Sequence, residues 1–167
     1  MIASDIQSIC RAAAERASSA KTPLATRSSS DRAALLRDMA RRLRADSQSI
    51  LDANALDMSA AVHLDTALRD RLLLDPRRLD SMIVAVEQIA DQPDVLGDVI
   101  ESRPLESGIR LEKRRVPIGL ILVVYESRPN VTSDAAALCL KSGNAAFLRG
   151  SSGAINSNKA IAEALRK

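Results

Sequence analysis

The sequence predicts an α/β protein: a helical amino-terminal region over 1–97, a β-hairpin over 98–117, and the first βαβ of a doubly wound parallel sheet over 118–167. Three observations carry this expectation. Apolar residues recur at helical spacing through the first ninety positions. Two short extended runs then flank Glu106-Ser107-Gly108, and a continuous apolar run, Gly119 to Tyr125, is followed by a helix pattern and a second short apolar run.

The elements follow in order. Ile6, Ile9, Cys10, Ala13, Ala14 and Ala17 form one stripe, predicting a first helix to about Ala20. Lys21 to Ser30, with Thr, Pro and three Ser, reads as loop. Ser28 with Asp31 three residues on resembles a capping box, and a long helix should follow through Leu36, Met39, Ala40, Leu43, Ile50 and Ala53. Pro76 suits a first helical turn, so a shorter helix should carry Met82, Ile83, Val86 and Ile89 to the core and stop at Gln92-Pro93-Asp94. Val99–Pro104 and Ile109–Val116 should form the hairpin, one face on protein and one in water. Gly119 to Tyr125 has the unbroken hydrophobicity of a parallel strand covered on both faces. Thr132 to Lys141 should be a helix with Ala135, Leu138 and Cys139 inside, closed by a left-handed Gly143. Ala145 to Leu148 is the second strand, Arg149 to Gly153 a Gly/Ser loop, and a last helix starts at Ala154.

Composition narrows the function classes. Aromatic residues make up 1% of the chain, which leaves almost no stacking platform for single-stranded nucleic acid. Arg37, Arg41, Arg42 and Arg44 cluster, but Asp38 and Asp46 interleave with them, so a solvated helix face is expected rather than a nucleic-acid site. Cys10 and Cys139 lack metal-ligand spacing, and neither a disulfide scaffold nor a metal site is expected. No signal-peptide pattern and no apolar run near the roughly 20 residues of a membrane span is present, so a cytoplasmic protein without membrane or nucleic-acid partners is expected. His63, the single histidine, has no partner in sequence and is expected in a loop or at the surface.

In open α/β sheets ligands bind beyond the carboxyl ends of the strands. Those ends are Tyr125 to Asn130 and Arg149 to Gly153. The second is suited to an anion through close backbone approach, free N–H groups before a helix and a guanidinium fork, although plain turn chemistry explains the same residues.

Longer strings are more specific. Val116-Pro117-Ile118-Gly119-Leu120-Ile121, Tyr125-Glu126-Ser127-Arg128-Pro129-Asn130-Val131-Thr132, Leu138-Cys139-Leu140-Lys141-Ser142-Gly143-Asn144-Ala145 and Leu148-Arg149-Gly150 resemble the γ-glutamyl phosphate reductase family of the aldehyde dehydrogenase superfamily. Ala53-Asn54-Ala55-Leu56-Asp57 and Asp70-Arg71-Leu72-Leu73-Leu74 resemble it too. The resemblance implies an incomplete aldehyde dehydrogenase-like fold with a Rossmann-like cofactor region, a hairpin that belongs to an oligomerisation element, and the absence of a later catalytic domain. It implies NADPH-dependent reduction of glutamate 5-phosphate to glutamate 5-semialdehyde in proline biosynthesis, a homo-oligomer, and glutamate 5-kinase as a functional partner.

For single residues the resemblance implies Val124 and Tyr125 at the nicotinamide pocket and Arg149, Gly150, Ser151 and Ser152 at the adenosine ribose. The family's usual Arg-Gly-Gly-Ser-Glu is changed here at Ser151 and Gly153. Glu126, Ser127, Arg128 and Asn130 are candidates for the substrate end. Arg128 suits a carboxylate or phosphate equally as well as a structural pairing with Glu126. Glu126 stands where the superfamily has its oxyanion Asn, so that role is not assigned. No catalytic residue is expected in this chain: Cys139 falls within an apolar helix run, Cys10 lies on the first helix's apolar stripe, and the family's nucleophile belongs farther on. The alternative is a non-catalytic product of a truncated or split gene, acting at most as a weak nucleotide-binding or interaction module, aggregation-prone through its unpaired sheet edge.

Overall fold

The computed structural model describes residues 2–167, with side chains from residue 5 onward. Its elements are α1 (Ile2–Ser19), α2 (Lys21–Ala25), α3 (Ser29–Ala45), α4 (Ser47–Ala60), α5 (Thr66–Leu72), α6 (Pro76–Asp91), β1 (Val99–Pro104), β2 (Arg110–Arg114), β3 (Leu120–Val124), α7 (Asn130–Lys141), β4 (Ala145–Arg149) and α8 (Ile155–Arg166), with a 3₁₀ turn at Ser152–Ala154 before α8. The α/β class and the order of helices, hairpin and βαβ match the expectation.

Local chemistry sets most helix starts. The Ser28 hydroxyl accepts from the Asp31 N–H at 3.1 Å, opening α3. Asp65 and Asp75 do the same for α5 and α6, accepting from Leu68 N at 2.8 Å and Arg78 N at 2.7 Å. Gly143 closes α7 with φ +69°, a left-handed value that only glycine adopts cheaply.

Several expectations about the helices need correction. Lys21–Ala25, read as loop, forms a short helix, and α5 was not foreseen because its seven residues carry no full apolar period. The long helix breaks at Asp46 into α3 and α4, although Leu43 and Ile50 stay on one buried stripe across the break. The first half of the α1 stripe faces solvent, with Ile6 55% and Ile9 67% exposed and Cys10 exposed as well, while Ala13, Ala14 and Ala17 are half-buried. Leu138 lies on the outer side of α7 at 52% exposure, while Cys139 is buried.

The core is a helical layer. Leu36, Ala40 and Leu43 of α3 and Ile50 of α4 pack with Leu79, Met82, Ile83 and Val86 of α6, Ala137 of α7 and Ile161 and Ala164 of α8. Each large side chain buried there contributes about 1.5–3 kcal/mol of transfer free energy. Buried Lys141, at the end of α7, donates from Nζ to the Ala90 carbonyl at 2.8 Å and so ties α7 to the end of α6. The Arg cluster on α3 is neutralised: Arg37 meets Asp91, Arg41 and Arg42 meet Asp38, and Arg44 meets Asp80 and Glu87. His63 is exposed between α4 and α5.

Strands β1 and β2 pair antiparallel, with an irregularity between Val99 and Glu101, around a turn in which Gly108 has φ +81°. Neither face of this hairpin is covered; Val99, Ile100, Ile109 and Leu111 are all at least 44% exposed, contrary to the expected buried face. Strands β3 and β4 pair parallel across α7, with Val124 opposite Arg149. Only one face of this two-stranded sheet is packed, since Leu122 and Val124 are 59% and 65% exposed, so the expectation of two covered faces also fails.

A carboxylate joins the two ends of the sequence. Asp57 on α4 is buried, and its Oδ2 accepts from Ser157 N at 2.8 Å and Ser157 Oγ at 2.6 Å. Its Oδ1 accepts from Asn156 N at 3.2 Å and Asn156 Nδ2 at 2.8 Å. Buried Asn54, one turn earlier, donates to Leu72 O and Ser157 Oγ and accepts from Leu74 N. Replacing Asp57 by Ala strands buried donors at the start of α8. We expect a loss of about 2–4 kcal/mol in urea unfolding, against less than about 0.5 kcal/mol for exposed Asp52→Ala; equal effects would contradict this role for Asp57.

Candidate functional site

Parallel strands place their last residues at one edge of a sheet, and here that edge holds Val124 and Tyr125 after β3 and Arg149 and Gly150 after β4. The two ends are tied by the Tyr125 N–H donating to the Arg149 carbonyl at 3.1 Å. The tyrosine ring is held by a polar chain. Thr132 Oγ1 donates to Asn158 Oδ1 at 3.1 Å, so its bond to Tyr125 Oη, 2.7 Å long, has the phenol as donor. Thr132 and Asn158 are buried, and Asn158 Nδ2 has no partner among the described residues.

Gly150 is required by this packing. A Cβ there would fall inside contact distance of Asn158 Nδ2 and 3.0 Å from Tyr125 Cζ. Gly153 is similarly confined: a Cβ there would lie 2.9 Å from Ser127 Oγ. The turn after β3 and the loop after β4 are stitched together by Ser127 Oγ and Ser151 Oγ at 2.6 Å.

Two cavities flank this edge. One, of about 990 Å³, runs between α1, β4 and α8 and is lined by Tyr125, Arg149, Gly150 and Asn158 among others. The other, of about 710 Å³, lies between α5, α6 and the start of α7 and is lined by Arg71, Arg77, Arg78, Arg128, Asn130 and Asp134 among others. The candidates from sequence are therefore divided. Tyr125, Arg149 and Gly150 border the first cavity, and Arg128 and Asn130 the second. Val124 lies on the open face of the sheet opposite Arg149, Ser127 and Ser151 are bound to each other, and Ser152 and Glu126 are exposed.

Two readings of these residues change. The N-terminus of α8 does not offer free N–H groups to an anion, because the Asp57 carboxylate already occupies Asn156 N and Ser157 N. Arg128 does not pair with the Glu126 side chain. Only its backbone N–H meets the Glu126 carbonyl, at 2.8 Å, and the Glu126 carboxylate instead lies 4.0 Å from Arg71. Thr132, Asn158 and Arg71 were not singled out as site residues, since each reaches the site by tertiary packing that no local spacing announces.

The two cysteines differ in exposure. Burial raises the Cys139 pKa by desolvation. Cys10 is exposed on α1, and neither cysteine lines either of the two cavities described above. Among the described residues no group of His, Cys, Asp and Glu side chains is placed to hold a metal ion, and no helix is long and apolar enough to cross a membrane.

No family model matches the chain. Solved structures do. A putative aldehyde dehydrogenase from Bacillus subtilis superposes with TM-score 0.71 at 18% identity, over 93% of this chain and 33% of that one. The helical layer, the hairpin and the βαβ unit with its polar strand ends thus define an aldehyde dehydrogenase-like fold. The γ-glutamyl phosphate reductase of Thermotoga maritima is more similar, with TM-score 0.88 and 40% identity over 92% of this chain and 38% of that one. That of Saccharomyces cerevisiae gives 0.86 and 32%, over 92% and 40%. In sequence, the enzyme of Xylella fastidiosa (strain 9a5c) is 49% identical over 160 residues, 95% of this chain and 37% of that protein. The enzyme of Sulfurovum sp. (strain NBC37-1) is 49% identical over 154 residues, 91% and 38%. Over the segment it contains, the chain belongs to the γ-glutamyl phosphate reductase family, and it spans little more than a third of the length of these relatives.

Two outcomes are expected from this geometry. Gly150→Ala should cost about 1–3 kcal/mol of unfolding free energy through overpacking, and adding Asn158→Ala should recover part of it; strict additivity of the two would remove the proposed contact. A thiol reagent should modify Cys10 rapidly and Cys139 only as the protein unfolds.

Proposed function

We propose that this chain supplies the cofactor-ribose and substrate-orienting residues of an NADPH-dependent reductase that converts glutamate 5-phosphate to glutamate 5-semialdehyde and phosphate, a step of proline biosynthesis. The observation that carries the reading is Arg149: an exposed guanidinium without an ion-pair partner among the described residues, at the end of β4, beside a Gly150 that cannot carry a side chain. A nicotinamide cofactor, when bound, supplies the hydride for the reduction.

The residues fit such a group in part. Arg149 is a fork suited to a 2′-phosphate, and Ser152 adds an exposed hydroxyl. Ser151 is engaged with Ser127, which makes its hydroxyl a brace for the loop. Because Asp57 holds the start of α8, the positive charge for a phosphate comes from Arg149 and not from the helix. Val124 and Tyr125, at the end of β3, are the residues that would contact a nicotinamide ring.

Arg128 and Asn130 take the substrate side, with Glu126 and Ser127 in the same turn. The thiol that attacks the acyl phosphate is assigned to neither Cys10 nor Cys139, so the chain by itself is proposed to be inactive. The homo-oligomer, the functional pairing with glutamate 5-kinase and a cytoplasmic setting belong to this same proposal, as does the hairpin as an oligomerisation element. A second reading, a non-catalytic nucleotide-binding or interaction module, is favoured by the open sheet face at Leu122 and Val124.

Fluorescence titration with NADPH and NADH tests the cofactor reading. NADPH should bind more tightly than NADH, and Arg149→Ala should weaken NADPH by about tenfold or more while leaving NADH nearly unchanged. Equal affinity for both nucleotides, or an indifferent Arg149→Ala, would reject it. NADPH oxidation by the chain alone with an acyl-phosphate substrate would refute its inactivity.

A further inference from the structure

The cavity between α5, α6 and α7 carries charges that the fold does not use. Of its four arginines, Arg78 serves the structure, donating to the Asp70 carboxylate at 2.6 Å and to the Leu73 carbonyl at 3.1 Å. Arg77 and Arg128 have no ion-pair partner among the described residues. Arg71 meets only the Glu126 carboxylate, at 4.0 Å, with the glutamate side chain 82% exposed. A contact that long and that wet is worth little, but it shows that a carboxylate beside the β3–α7 turn lies within the reach of Arg71.

On the other wall stands Asp134, one helical turn after Asn130. Its Oδ2 accepts from Asn130 Nδ2 at 2.9 Å, while its Oδ1 is shut off from solvent with no partner among the described residues. Desolvation pushes its carboxyl pKa up. Folding alone does not favour an under-partnered carboxylate beside a cavity; a cation arriving at Oδ2, where a neutral amide now donates, would offset that cost.

Guanidinium groups on one side and an under-partnered carboxylate on the other match a zwitterion. We infer that this cavity seats the α-amino-acid end of the substrate, with Arg71 and Arg128 taking its carboxylate and Asp134 taking its ammonium. The inference rests on the substrate reading above and adds Arg71 and Asp134 as specificity-determining residues. It separates the work of the two cavities: one edge of the sheet meets the cofactor ribose at Arg149, and the turn after β3 meets the remote end of the substrate.

The test is an NMR titration of the chain with L-glutamate, with glutarate, which lacks the ammonium, and with 4-aminobutyrate, which lacks the α-carboxylate. L-Glutamate should bind most tightly, in the millimolar range. Arg71→Gln and Arg128→Gln should each weaken L-glutamate and glutarate by roughly tenfold, the scale of one charge-assisted contact. Asp134→Asn should reduce L-glutamate to the affinity of glutarate and leave glutarate alone. Arg37→Gln, on the far side of α3, should change nothing, the arginine variants should keep the parent's unfolding midpoint, and Asp134→Asn should keep or raise it. Absence of L-glutamate binding, or binding indifferent to Arg71, Arg128 and Asp134, overturns the inference. NADPH titration of the same variants keeps the two readings apart: lost glutamate binding with unchanged NADPH affinity supports the inference, and glutamate binding without NADPH binding sinks only the cofactor reading.

Discussion

The Asp57 carboxylate is the constraint from which the site is built. It accepts four hydrogen bonds from Asn156 and Ser157, across a separation of about a hundred residues, and so locks α8 onto the helical layer. An ionised carboxylate at a helix N-terminus is favoured both by the unpaired N–H groups and by the helix dipole. With α8 placed, Asn158 is placed, and through Thr132 it sets the Tyr125 phenol. Tyr125 in turn bonds the Arg149 backbone. The position of the candidate ribose-binding residue thus depends on an acid in the fourth helix. Asn54, buried one turn before Asp57, extends the clamp to the segment Leu72–Leu74, which leads into α6 and the arginine-lined cavity.

The same arrangement explains why glycines appear where they do in the loop after β4. Gly150 is packed between the Asn158 amide and the Tyr125 ring, and Gly153 against the Ser127 hydroxyl. Both are glycines for close approach rather than for a left-handed backbone, since neither has positive φ. A loop that tight presents backbone to a ligand with little intervening side chain, which is the property a pyrophosphate- or ribose-binding turn needs. It also leaves Asn158 Nδ2 enclosed without an acceptor, a cost carried by a residue whose other atom holds the site together.

The secondary structure was legible wherever a local signal decided it. Ser28, Pro76 and Gly143 marked ends that the structure keeps, and the apolar runs at 120–124 and 145–149 formed the parallel pair. Legibility failed where the deciding contact was distant. The break at Asp46 leaves the Leu43–Ile50 stripe in phase, so the pattern of burial does not betray it. The apolar residues of α1, β1 and β2 read as core-facing because hydropathy records what a residue can bury, not what is present to bury it. The site divides in the same way. Tyr125, Arg149 and Gly150 stood at strand ends and were visible from topology, whereas Arg71, Thr132 and Asn158 join it only through packing. The helix N-terminus that the sequence predicts to be free is held by Asp57, a hundred residues away in the chain.

The exposed surfaces of this chain follow from the same logic. A doubly wound sheet is stable when helices or further strands cover both faces, and here α7 and the helical layer cover one. Leu122 and Val124 remain open on the other, and the uncovered apolar hairpin residues add to them. Over the segment shared with its relatives the chain keeps their fold at TM-scores of 0.86–0.88, and its main buried apolar cluster lies within the helical layer. The polar clamps at Asp57, Asn54 and Lys141 each join elements distant in sequence without using either open apolar face. The polar clamps that position Tyr125 and Arg149 therefore lie within α4 to α8, whereas Val124 belongs to the open face of the sheet and α1 supplies one wall of the first cavity.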